Sequence, residues 1–142
     1  MNITKHLTRE EIACHCGCGY GLETNDLHYV VAQIFEEIRE RVSEDRGIDT
    51  AIDILSGCRC WKHHVAIYKA ISIQLKRIVE PPKESKHLKG LALDLQCPEG
   101  YDYEKFYQIC VSVIGDGGGV GYYPDKNFVH IDLRGWKARW NG

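Results

Sequence analysis

The sequence has 142 residues, enough for one domain with its own core, and its 18 basic and 20 acidic side chains leave a net charge of −2. So balanced a chain has no electrostatic footprint for nucleic acid or an anionic membrane as partner. No apolar run approaches the ~20 residues that cross a bilayer, and Met1-Asn2-Ile3-Thr4-Lys5-His6 has no apolar signal region behind its charges.

Taken in order, Thr8 followed three positions later by Glu11 forms a capping box and predicts a helical turn over residues 8–13. Cys14-His15-Cys16-Gly17-Cys18-Gly19 then reads as a loop. Seven cysteines are many for a chain made in the cytosol, and the number is odd. Cys14, Cys16 and Cys18 are close enough to raise a structural zinc, but alternating Cys-x-Cys is a poorer zinc spacing than Cys-x-x-Cys. Reduced thiols, some packed as small hydrophobes, are favoured; a structural zinc and disulfides formed after release from the cell are the alternatives.

Asn25 or Asp26 caps a helix running to about Val42, with Val30, Val31, Ile34, Phe35, Ile38 and Val42 as its apolar stripe. Glu36, Glu37, Arg39, Glu40 and Arg41 form its solvated face. Residues 50–55 read as a strand that delivers Ser56-Gly57-Cys58-Arg59. Residues 62–79 are mainly helical, with apolar positions that do not resolve into one stripe, and Pro81-Pro82 ends them. A strand over 91–95, a turn at Pro98-Glu99-Gly100, a helix over 103–114 and a glycine-rich turn follow. Strand 120–123, a hairpin-like connection through Lys126 and strand 128–133 come next. Helices beside a small antiparallel sheet make one α+β domain over residues 1–142.

Two stretches carry chemistry. In His87-Leu88-Lys89-Gly90-Leu91-Ala92-Leu93-Asp94, a glycine turn can swing a histidine beside an aspartate that leaves an apolar strand. Asp is depleted in strands and is seldom buried unless paired or metal-bound. In Phe128-Val129-His130-Ile131-Asp132-Leu133, alternation puts Phe128, His130 and Asp132 on one face and the aliphatic residues on the other. His87, Asp94 and His130 would together supply the three protein ligands of a catalytic zinc; a loop histidine at 87 and a hydrogen-bonded strand histidine at 130 are the alternative.

With Ile54-Leu55-Ser56-Gly57-Cys58-Arg59-Cys60, His63-His64, the Ser-x-His-x-x-Gly-x-Ala-x-Asp pattern from Ser85 to Asp94, and Gly119-Val120-Gly121-Tyr122-Tyr123-Pro124, the chain resembles the D-alanyl-D-alanine carboxypeptidase family of zinc peptidases, in its short phage-type branch. The opening residues 7–14 and the closing Arg134-Gly135-Trp136-Lys137-Ala138-Arg139-Trp140 share the likeness. It implies the α+β fold of the hedgehog and D-Ala-D-Ala peptidase group. It also implies one catalytic Zn2+ and hydrolysis of peptidoglycan stem peptides, as carboxypeptidase or endopeptidase, by a monomer. Without an evident leader, such an enzyme would act on the wall after lysis or as a virion component.

Arg59 is the expected oxyanion or substrate-carboxylate donor, a structural salt bridge being its alternative. Ser56, Ser85 and His63 are expected near the substrate, and His64 is paired with His63 in the resemblance. Asn127 occupies the position three before His130 where the family often has a carboxylate, and Phe128 stands where some relatives of the fold use histidine. Asp132 is the favoured base or water-orienting group, with support of a metal-bound histidine as its alternative, and Asp125 is second. Trp136, Arg139 and Trp140 are expected to pack across the sheet, with lining a substrate cleft as their alternative. The loss of the usual base also leaves open a non-catalytic zinc module that binds cell wall or forms part of a phage tail. A cysteine-rich interaction domain built on Cys14 to Cys18 is a third reading.

Overall fold

A computed structural model describes residues 2–22 and 26–142, with the side chains of 26 and 27 excepted, so the cap expected at Asn25 or Asp26 lies outside what is described. Strands β1 (Asn2–Thr4) and β2 (Leu7–Thr8) form a short antiparallel hairpin that the sequence does not announce. Helix α1 (Arg9–Ile12) starts as expected, with Thr8 and Glu11 each accepting from the other's backbone N–H.

Helix α2 (Asp26–Arg46) runs a turn beyond Val42, to Gly47 at φ 71°. Val31, Phe35, Ile38 and Val42 face the core, whereas Val30 is exposed. Its polar face is only partly solvated. Arg39 is buried and donates to Asp49 at 2.7 Å, and Glu36 accepts from the backbone and ring of His6 at 2.8 and 2.7 Å, clasping the amino-terminal hairpin.

Five strands build the main sheet in the order β3-β4-β6-β5-β7. They are β3 (Ile54–Ser56), β4 (Ala92–Gln96), β5 (Gly119–Tyr123), β6 (Phe128–Asp132) and β7 (Ala138–Asn141). Neighbours are antiparallel except that β7 runs parallel to β5, so the sheet is mixed rather than wholly antiparallel. Leu93, Leu95, Val120, Val129 and Ile131 point from one face into the core, which α2 and helix α4 (Tyr103–Ile114, through Phe106, Cys110 and Ile114) complete. This is the expected α+β arrangement.

Helix α3 (Trp61–Leu75) belongs to the other side of the sheet, where it walls a cleft. Its lack of a stripe has a plain cause: His64 is its buried residue, while Val65, Ile73 and Leu75 are exposed. It stops at Lys76 in the left-handed conformation (φ 55°), several residues before the prolines that were expected to end it.

Candidate active site

One row across the sheet carries the site. Ser56 pairs with Asp94, Asp94 with His130, His130 with Gly121, and Gly121 with Trp140, so the row crosses all five strands. Directly opposed residues on one face have Cβ atoms about 5 Å apart, close enough for Asp94 and His130 to touch. His87 reaches the pair from a short 3-10 turn (Lys86–Lys89) that begins after Ser85 and closes on Gly90 at φ 70°, so the glycine turns the chain as the sequence predicts.

The ring nitrogens define what these three groups can bind. His87 Nδ1 donates to the Gly57 carbonyl at 2.7 Å, leaving Nε2 directed at Asp94 Oδ1, 3.2 Å away. His130 donates from Nε2 to Asp132 Oδ2 at 2.8 Å, leaving Nδ1 directed at the same Asp94 oxygen at 3.0 Å. One nitrogen from each ring and a carboxylate oxygen lie within 4.8 Å of one another. Two imidazoles, each fixed by a hydrogen bond on its far nitrogen, plus one carboxylate are a donor set that fits a catalytic zinc.

Electrostatics agree with the pairing. Burial works to raise the Asp94 pKa, but the neighbouring His87 and His130 outweigh it and hold the carboxyl well below its usual range. Burial works to lower that of His130, yet hydrogen bonds to Asp132 and Asp94 leave it raised. Asp132 is held low against its burial by Arg134 and His130. Both Asp132 oxygens are engaged: Arg134 donates from Nε and Nη2 at 2.9 and 2.7 Å, and the Gly119 N–H donates at 3.1 Å. The side chain is fully buried behind His130 and does not line the cleft.

The cleft in front of the three groups encloses about 290 Å3. Arg59, Tyr68, Ser85, Tyr123, Phe128 and Trp140 contribute to its walls, and Glu84 and Asp94 are its carboxylates among the described residues. Two grooves of about 530 and 550 Å3 elsewhere are larger but, among the described residues, hold no convergent group of three metal-ligand atoms. Arg59 is buried, with Nη1 donating to His64 Nδ1 at 3.1 Å and Nη2 donating to Ser56 Oγ at 3.0 Å. His64 can accept there because its Nε2 donates to the Pro82 carbonyl at 2.9 Å. Among the described residues no carboxylate pairs directly with Arg59, which argues against the salt-bridge alternative. Burial lowers its pKa from the usual value, and Asp94 partly offsets that.

Residues 21–140 match the family described as peptidoglycan L,D-endopeptidase MepK. The chain belongs to this family. A probable peptidoglycan L,D-endopeptidase MepK from Haemophilus influenzae is 31% identical over 119 residues, which cover 81% of this chain and 58% of that protein. The peptidoglycan L,D-endopeptidase MepK of Escherichia coli K12 is 46% identical over 50 residues, 35% of this chain and 26% of that protein. The chain therefore spans little more than half the length of the first relative and about a quarter of the second. No solved structure gives a significant match. The family supports the peptidase resemblance read from the motifs without singling out the D-alanyl-D-alanine carboxypeptidase branch.

Placement refines the other expected site residues. Ser85 lines the cleft, whereas Ser56 lies behind Arg59 and orients it. His63 is half-buried and outside the cleft; its neighbour His64 makes the contact with Arg59. Asp125 is exposed in the turn Pro124–Lys126, again outside the cleft. Asn127 adopts φ 57° to close that turn, a conformation asparagine tolerates, so its position serves the backbone. Trp140 was expected to pack; it does so as part of an edge strand, but its ring also stands 5.2 Å from that of His130. Arg139 holds the Gly115 and Gly118 carbonyls, and Trp136 is exposed. Trp140 thus meets the cleft-lining alternative as well as the packing one, whereas nothing local in the sequence marked Tyr68 or Tyr123 as cleft residues, because strand register and the packing of α3 bring them there.

Proposed function

We propose that the chain is a zinc-dependent peptidoglycan peptidase that cleaves an L,D peptide bond as an endopeptidase. The observation that carries this reading is the convergence of His87 Nε2, Asp94 Oδ1 and His130 Nδ1 beside a buried arginine that has no direct carboxylate partner among the described residues. His87, Asp94 and His130 would hold the zinc, which when bound supplies an activated water and polarises the scissile carbonyl.

The remaining chemistry belongs to the chain. Arg59, fixed by Ser56 and His64, presents a cation to the scissile carbonyl or to a stem-peptide carboxylate. Lys86 and Lys126 join it on the cleft lining and give the entrance a positive bias suited to an acidic peptide, while Arg134 there is held by Asp132. Tyr68, Tyr123, Phe128 and Trp140 provide apolar surface for the rest of the substrate. Asp132 keeps the His130 proton on Nε2 and its Nδ1 lone pair forward, which is the supporting role weighed beside general base.

Purified muropeptides containing L,D and D,D linkages, with and without chelator, test the proposal. Cleavage of the L,D bond that chelator abolishes and zinc restores is the expected result. Release of terminal D-Ala alone would return the chain to the carboxypeptidase reading. Zinc binding without cleavage of any of these substrates would overturn enzymatic function in favour of a wall-binding module.

A further inference from the structure

A second set of ligand atoms lies outside the cleft. The Sγ atoms of Cys14, Cys16, Cys18 and Cys60 all fall within 4.8 Å of one another. Cys14 and Cys16 are 3.5 Å apart, and Cys16 and Cys60 are 3.6 Å apart. Sulfurs around a tetrahedral zinc at about 2.3 Å stand about 3.8 Å from each other. A disulfide needs about 2.05 Å. The two short spacings are near that of a four-thiolate shell and far from that of a disulfide.

The alternating cysteines can converge because their segment is curled, not extended. Gly17 and Gly19 adopt φ 83° and 91°, and a side chain at either would meet nothing within 4 Å, so they serve the path of the backbone. The Gly17 N–H donates to the Cys14 carbonyl and the Cys14 N–H to that of Tyr20, closing the loop. The fourth thiol comes from the N-cap of α3. Two backbone N–H groups there serve the sulfurs, Cys60 donating to Cys14 Sγ and His63 to Cys60 Sγ, each at 3.4 Å. Amide donors at the positive end of a 15-residue helix suit a cluster carrying thiolate charge. Cys14 is buried while Cys16 and Cys18 are exposed, which leaves a way in for an ion.

We infer that Cys14, Cys16, Cys18 and Cys60 bind a structural zinc ion that staples the amino-terminal loop to the start of α3. Four protein ligands close the coordination shell, so this site holds structure and does no chemistry. Its place gives it leverage on the cleft. The segment it would fix includes Cys58, whose N–H donates to the Ile12 carbonyl, and Arg59, whose N–H donates to the His87 carbonyl. The Gly57 carbonyl in the same segment accepts from His87 Nδ1.

The test uses the full reduced chain and cobalt(II) as a spectroscopic substitute for zinc. Cobalt should produce an intense thiolate-to-metal charge-transfer band in the near ultraviolet, with the strong visible bands of a tetrahedral ion. Three imidazole and carboxylate ligands in the cleft cannot give a thiolate band, so failure of either site is seen separately. The Cys16→Ser/Cys18→Ser chain should lose the band. Because that chain could fail to fold, the unaltered protein is also alkylated with iodoacetamide and mapped by peptide mass. Zinc should protect Cys14, Cys16, Cys18 and Cys60 together. Absence of the band, an unchanged band in the double serine chain, or alkylation of these four thiols indifferent to zinc would each overturn the inference.

Discussion

Asp132 shows how much one carboxylate's role depends on what stands behind it. Strand alternation correctly placed it on the face of His130, two residues away. The sequence could not show that Arg134 and the Gly119 N–H would occupy its oxygens, since one partner follows the strand end and the other sits on the adjacent strand. A carboxylate so engaged orients its histidine, and replacing such a partner weakens metal binding by about 10–100-fold. Asp132→Asn should therefore need about that much more zinc to reach half-maximal cleavage, with most of the turnover recovered once the site is saturated. A zinc titration of cleavage rate checks this. Full occupancy with activity still missing would make Asp132 the base after all.

At the scale of strands, most elements were legible because their periods are local: alternation in β4 and β6, a capping box at α1, and an amphipathic α4. Register was not legible, and register makes the row from Ser56 to Trp140. Gly121 is the telling member. A Cβ there would come within 2.8 Å of the Trp140 indole and 2.7 Å of the Tyr123 ring, so its absence lets both aromatics close over the row. The parallel β7 could not be read from its four residues, since its pairing is set by a distant strand. Gly121→Ala should overpack this corner, costing about 1–3 kcal/mol. Denaturant unfolding should show the loss, and substrate affinity should weaken while zinc content at the histidines stays intact. Unchanged stability with unchanged KM would mean that Trp140 does not shape the cleft.

Across the whole molecule, the buried charges of the site tie stability to pH. Asp94 and Asp132 have lowered folded pKa values, so what they add is complete above the ordinary carboxyl value of about 3.8 and is lost as pH falls through their folded values. His130 is shifted the other way: its contribution is complete below about 6.5 and is lost as pH rises through its raised folded value. The metal-free chain should accordingly be most stable, as far as these groups decide it, between those limits. Zinc held as proposed would reverse the alkaline arm, because it would take the Nδ1 position that a protonated His130 gives to Asp94, and its binding would release that proton. While His130 remains protonated, zinc affinity should rise about tenfold per pH unit. Thermal unfolding from pH 5 to 8, chelated and zinc-saturated, would show the zinc increment growing with pH. His130→Gln retains the cysteine cluster, so subtracting its increment isolates the histidine site. If the subtracted increment is flat across that range, the proton on His130 does not compete with the metal, and Nδ1 is not the ligand atom.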